Sequence, residues 1–152
     1  SVITLPDLRW KRVDIKTTGL TANVMARQAA REAGAAEAWF VDAAGFVTEG
    51  AAANAWIVTQ ANAVVTRKAD GSILAGVTRA TLIDLLKSKG LELQERSFTA
   101  AEALSAREAF LTGATTLVTP VVAIDGQPVG DGRPGPLATE LRRRFHDAAH
   151  HS

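Results

Sequence analysis

The chain has 152 residues, 17 of them Lys or Arg against 16 Asp or Glu, for a formal net charge of +1. A single domain of this size buries about two-thirds of its unfolded surface, and the balanced charge gives no general electrostatic case for nucleic acid or an anionic membrane. The absence of cysteine excludes disulfides and thiolate chemistry. No signal peptide opens the chain and no apolar run nears the roughly 20 residues that span a bilayer, so a cytoplasmic location is expected.

Residues 1–8 carry a proline and no periodicity and read as a linker. Arg9-Trp10-Lys11-Arg12-Val13-Asp14-Ile15-Lys16 reads as an extended run, with Trp10, Arg12, Asp14 and Lys16 on one side and Lys11, Val13 and Ile15 on the other. A lysine at the end of a strand reads either as a solvated cation or as an amine presented for chemistry. Leu20 to Ala33 has helical spacing, with Thr21 as a cap, Gly34 as a stop and Met25 in the packed face. Ala36 to Asp42 is a strand, and Asp42-Ala43-Ala44-Gly45 turns it back into Phe46-Val47-Thr48 as a hairpin. Glu49-Gly50 is expected to break that strand before Asn54 to Thr59 and Ala63 to Arg67 supply two more, with Trp39 and Trp56 in the core.

Thr78 to Lys89 is helical, preceded by Gly76 and stopped by Gly90, and Leu91 to Phe98 is again extended. Thr99-Ala100-Ala101-Glu102 has the spacing of a capping box and opens a short helix. Glu108 to Leu111 and Leu117 to Ile124 are strands joined by the small-residue loop Thr112 to Thr116, and Asp125-Gly126 is a turn. The Gly- and Pro-rich loop Gly130 to Pro136 leads into a last helix, Leu137 to His146, with residues 147–152 as a tail. Arg142-Arg143-Arg144 reads as the solvated face of that helix, and His146, His150 and His151 as exposed tail residues with no metal centre. Strand-rich order with few crossovers describes an α+β domain with a bent, barrel-like sheet and flanking helices.

Asp14-Ile15-Lys16, Val47-Thr48-Glu49-Gly50 with Asn54, Ile73 to Arg79, and Phe110 to Thr116 recur at intervals of about one supersecondary unit. This ordered series resembles the fold-type IV pyridoxal-phosphate enzymes, the class IV aminotransferases, and within them the D-amino-acid type. The resemblance runs from Arg9 to Phe145 and covers the C-terminal large domain of that family, residues 9–146 here. The family's smaller N-terminal domain has no counterpart in the chain and would be a separate chain or have been removed.

The resemblance implies a pyridoxal 5'-phosphate site in which Lys16 bonds the cofactor's aldehyde and moves the proton, and Glu49 keeps the ring nitrogen protonated. It further implies that Gly76, Val77 and Thr78 hold the phosphate at a helix start, with Leu74 against the ring face and Asn54 in the same site. Gly113, Ala114 and Thr115 match a second phosphate loop, and Arg9 an arginine near the phenolic oxygen. Taken alone, Glu49 reads as a turn residue, Thr78 as a helix cap and Arg9 as an exposed cation. Ala114 stands where the family often has threonine, so one hydroxyl is lost, and Ala51-Ala52-Ala53 replaces a serine-rich run. The implied activity is transamination between an amino acid and a 2-oxo acid in a homodimer, D-amino acids favoured and branched-chain ones open. A lyase of the aminodeoxychorismate type and a non-catalytic fragment are the alternatives.

Overall fold

This structure, a computed structural model, describes residues 1–6, 21–35, 37–50, 54–67, 77–113 and 117–151. Among them the elements run β1 (Val2–Pro6), α1 (Thr21–Glu32), β2 (Glu37–Val41), β3 (Val47–Gly50), β4 (Asn54–Val58), β5 (Val64–Thr66) and α2 (Val77–Ser88). They continue as β6 (Leu93–Glu95), α3 (Ala100–Leu104), β7 (Glu108–Gly113), β8 (Leu117–Val121), β9 (Ala123–Ile124), β10 (Gln127–Pro128) and α4 (Pro136–His151). The strands form two five-stranded sheets, in the orders β10-β9-β1-β2-β3 and β6-β5-β4-β7-β8. The fold is α+β with flanking helices, as expected; its bending takes the form of two sheets rather than one closed barrel among the described residues.

The two-residue alternation of the strands sorts their side chains into three layers of core. Ala38 and Phe40 of β2 face Ala26 and Ala30 of α1. Trp39 on the same strand faces the other way, joining Val47, Ala55, Ile57, Val65, Leu111 and Phe98 between the two sheets. The far face of the second sheet carries Trp56, Val58, Val64, Phe110 and Val118, covered by Leu82 and Leu86 of α2 and by Ala138 and Leu141 of α4. The sequence of layers is therefore helix, sheet, sheet, helices. Both expected core tryptophans are fully buried, on opposite sides of the second sheet. Lys89 of the turn after α2 donates to Glu140 Oε1 of α4 at 2.7 Å, tying the two covering helices together.

Several local expectations give way to tertiary context. The reading of 1–8 as a linker is corrected: Val2–Pro6 is a strand paired in parallel with β2 and, through Val2, with β9, and Val2 is buried. Its Val-Ile-Thr-Leu run is too short to show a period but has the side chains a sheet takes. Glu49-Gly50 does not break its strand, since Gly50 pairs with Trp39. Met25 is not packed but 67% exposed, because α1 docks through its small alanines and turns its bulkier neighbours outward. The last helix runs to His151, so the expected tail at 147–152 is helical as far as that residue. The strand expected around Lys16 lies outside the described residues.

Candidate functional site

The topology brings several separate segments to one end of the second sheet. β4 begins at Asn54 and is antiparallel to both β5 and β7, so its first residue lies beside the last residues of those strands; Asn54 pairs with Thr112, and Gly113 follows. β8 starts at the same end, Leu117 opposite Gly113. β6 is parallel to β5, so the intervening α2 must return from this end to the opposite one. The hydrogen bond from Leu91 N to Leu86 O and that from Val64 N to Glu92 O place the last turn of α2 beside the start of β5. The N-terminus of α2, at Val77, therefore opens at the same end as Asn54 and Gly113. β3 of the other sheet ends at Gly50, four positions before Asn54, and delivers Glu49 to this end as well.

Of the residues singled out from sequence, Glu49, Asn54, Val77, Thr78 and Gly113 thus converge from four elements. Lys16, Arg9, Leu74, Gly76, Ala114 and Thr115 lie outside the described residues. Asn54 is 7% exposed and sits directly across from Thr112, a position at which opposed Cα atoms are about 4.5–5.5 Å apart.

The donor chemistry of this end suits an anion. The first backbone N–H groups of a helix have no intrahelical acceptor and sit at the positive end of its dipole. The first turn of α2 holds no acidic side chain that would neutralise it. A helix start of this kind can accept an anion such as phosphate through its backbone N–H groups. α4 differs, because its N-terminus at the opposite end of the sheet is already occupied. Glu108, the first residue of β7, accepts from Leu137 N through Oε2 at 3.1 Å and from Ala138 N through Oε1 at 3.0 Å.

Two features of the second sheet escape sequence reasoning. One is that Glu108, a buried carboxylate at 4% exposure, serves as a helix cap for amides 29 and 30 positions downstream. Its signal is negative: Gly135 and Pro136 supply no capping side chain of their own. The other is a buried bond from Trp56 Nε1 to Thr112 Oγ1 at 2.9 Å, next to Gly113.

The amino-transferase class IV family model matches residues 2–124 of the chain. The D-alanine aminotransferase of Bacillus licheniformis is 42% identical over 142 residues, covering 93% of this chain and 50% of that protein. That of Listeria innocua is 37% identical over 145 residues, covering 95% of this chain and 50% of the relative. Among solved structures, the branched-chain aminotransferase of the thermophilic archaeon Thermoproteus uzoniensis with norvaline aligns with a TM-score of 0.84 at 31% identity, over 95% of this chain and 49% of that one. The Escherichia coli branched-chain amino acid aminotransferase aligns with a TM-score of 0.82 at 27% identity, over 95% of this chain and 50% of its own. The chain spans about half the length of the proteins it matches.

Proposed function

The chain belongs to the amino-transferase class IV family, and from that membership we propose that the protein is a pyridoxal-phosphate-dependent aminotransferase acting between an amino acid, a D-amino acid by preference, and a 2-oxo acid. The observation that carries the reading is the convergence of β3, β4, β7 and the start of α2 at one end of the second sheet. When bound, pyridoxal phosphate supplies the electron sink that makes a substrate α-carbon acidic.

In this reading the chain's own residues divide the remaining work. Backbone N–H groups at Gly76, Val77 and Thr78, with the Thr78 hydroxyl, would hold the phosphate, together with Gly113, Ala114 and Thr115. The Glu49 carboxylate would hold a proton at the ring nitrogen, Leu74 would face the ring, Arg9 would lie near its phenolic oxygen, and Asn54 would belong to the same site. Lys16 would be the acid-base residue: its Nζ would take the proton from the substrate α-carbon and return it at the carbon that bore the cofactor's aldehyde. A second subunit and the half of the relatives' length that this chain does not span complete the substrate pocket, and substrate choice rests there.

Replacing the proposed amine tests the assignment. Borohydride treatment of the protein with pyridoxal phosphate should add the cofactor's mass to the wild type and none to Lys16→Ala; a variant that still gains that mass would remove Lys16 from the role.

A further inference from the structure

A threonine hydroxyl has one proton and two lone pairs, whereas an indole has a single N–H donor and no acceptor. Trp56 spends that only donor on Thr112 Oγ1, at 2.9 Å. Both partners are inside the protein, at 0% and 1% exposure, so water cannot substitute for either. The bond runs diagonally across two strands. Trp56 is paired with Phe110, and Thr112 is the next residue of β7 on the same face, a diagonal that only a long side chain bridges.

The ring that makes this bond cannot easily move. Its face stacks on Phe110 at a centroid separation of 5.7 Å and an interplanar angle of 5°. The same cluster packs it among Val58, Leu82, Leu86 and Val118. Thr112, the residue so held, immediately precedes Gly113, the last residue of β7. Neither Gly113 nor Ala114, the next residue in the chain, has a hydroxyl to offer an anion. In the proposed phosphate grip these two can contribute only backbone N–H groups, and backbone donors bind tightly only where the chain that presents them is already in place.

We propose that Trp56 is a positioning residue for the cofactor's phosphate, acting through its hydrogen bond to Thr112 to hold the end of β7, at Gly113, in its binding geometry. The inference rests on the pyridoxal-phosphate reading above. It makes the anion affinity at the end of β7 depend on an indole N–H that never touches the anion.

The test uses the protein at its naturally occurring length and pyridoxal 5'-phosphate as the probe. Trp56→Phe keeps an aromatic ring on Phe110 and deletes the donor; Thr112→Val deletes the acceptor at nearly the same volume; Thr112→Ser keeps it. The expected result is a loss of about fivefold in cofactor affinity for Trp56→Phe and for Thr112→Val, no further loss in the double variant, and affinity near that of the wild type for Thr112→Ser. Melting of the cofactor-free protein should not separate Thr112→Ser from Thr112→Val by the same order. Unchanged affinity in both deletions, or losses that simply multiply in the double variant, would overturn the proposal. Should Trp56→Phe not fold, the Ser and Val variants at position 112 decide it alone. A wild type that takes up no pyridoxal phosphate at all ends the underlying reading and this inference with it, an outcome distinct from uptake that is indifferent to Trp56.

Discussion

Glu108 shows how a single side chain can join distant parts of the fold. A buried charge is costly unless it is well bonded, and here two main-chain N–H groups and the positive end of α4 supply the compensation. The arrangement leaves no room at Gly135, where an added Cβ would fall on the Glu108 carboxyl group. Gly135 is therefore needed for space and not for backbone freedom. Gly135→Ala should force the carboxylate off its cap and lower stability by about 2 kcal/mol, combining crowding with a lost cap. Chemical denaturation checks this, and an unchanged midpoint would show that Glu108 can swing aside without loss. Neither partner signals the other in sequence, since the glutamate reads as an ordinary strand residue and the glycine as part of a flexible loop.

At the scale of elements, the β2–β3 hairpin is the clearest case of local sequence dictating local structure. Asp42 Oδ1 accepts from both Ala44 N and Phe46 N at 3.0 Å, and Gly45 takes a φ of 91°, which suits glycine best. What the turn motif does not reveal is the second job of Asp42, whose Oδ2 binds Arg67 at 3.0 Å just past β5 in the other sheet. Partial burial works against the Asp42 carboxylate, but the Phe46 amide, Arg67 and the Ala44 amide together hold its pKa below the ordinary value. A carboxyl group depressed on folding contributes stability that is present above its unfolded pKa of about 3.9 and is lost as pH falls through the folded value. Asp42→Asn should thus cost about 0.5–1 kcal/mol at pH 7, a figure kept small by solvent screening, and the variant should lose less stability than the wild type between about pH 5 and 3. Parallel acid titrations of stability would sink the assignment. Thr99 is likewise legible from its box: its side chain accepts from Glu102 N at 3.1 Å and caps α3.

For the whole molecule, the layer between the sheets decides whether the two halves behave as one unit. Ile57, fully buried in β4, belongs to that layer together with Trp39 and Val47 of the first sheet. Ile57→Ala should cost about 2–5 kcal/mol. Fluorescence and circular dichroism should still report a single coincident transition, because both sheets lose the same contacts. Two separated transitions would mean that the sheets are stabilised independently.

The type of the longer, periodic elements, the hairpin turn, the capping box, the two core tryptophans and the order of the chemically suggestive motifs were determined by the sequence itself, because each depends on residues a few positions apart. Tertiary structure alone decided that Val2–Pro6 is a central strand and that Met25 is exposed. It also decided that Glu108 caps a helix far along the chain and that Trp56 reaches Thr112. These outcomes depend on which strands become neighbours, and that is settled by burying both faces of two sheets at once, a condition no short stretch of the chain contains.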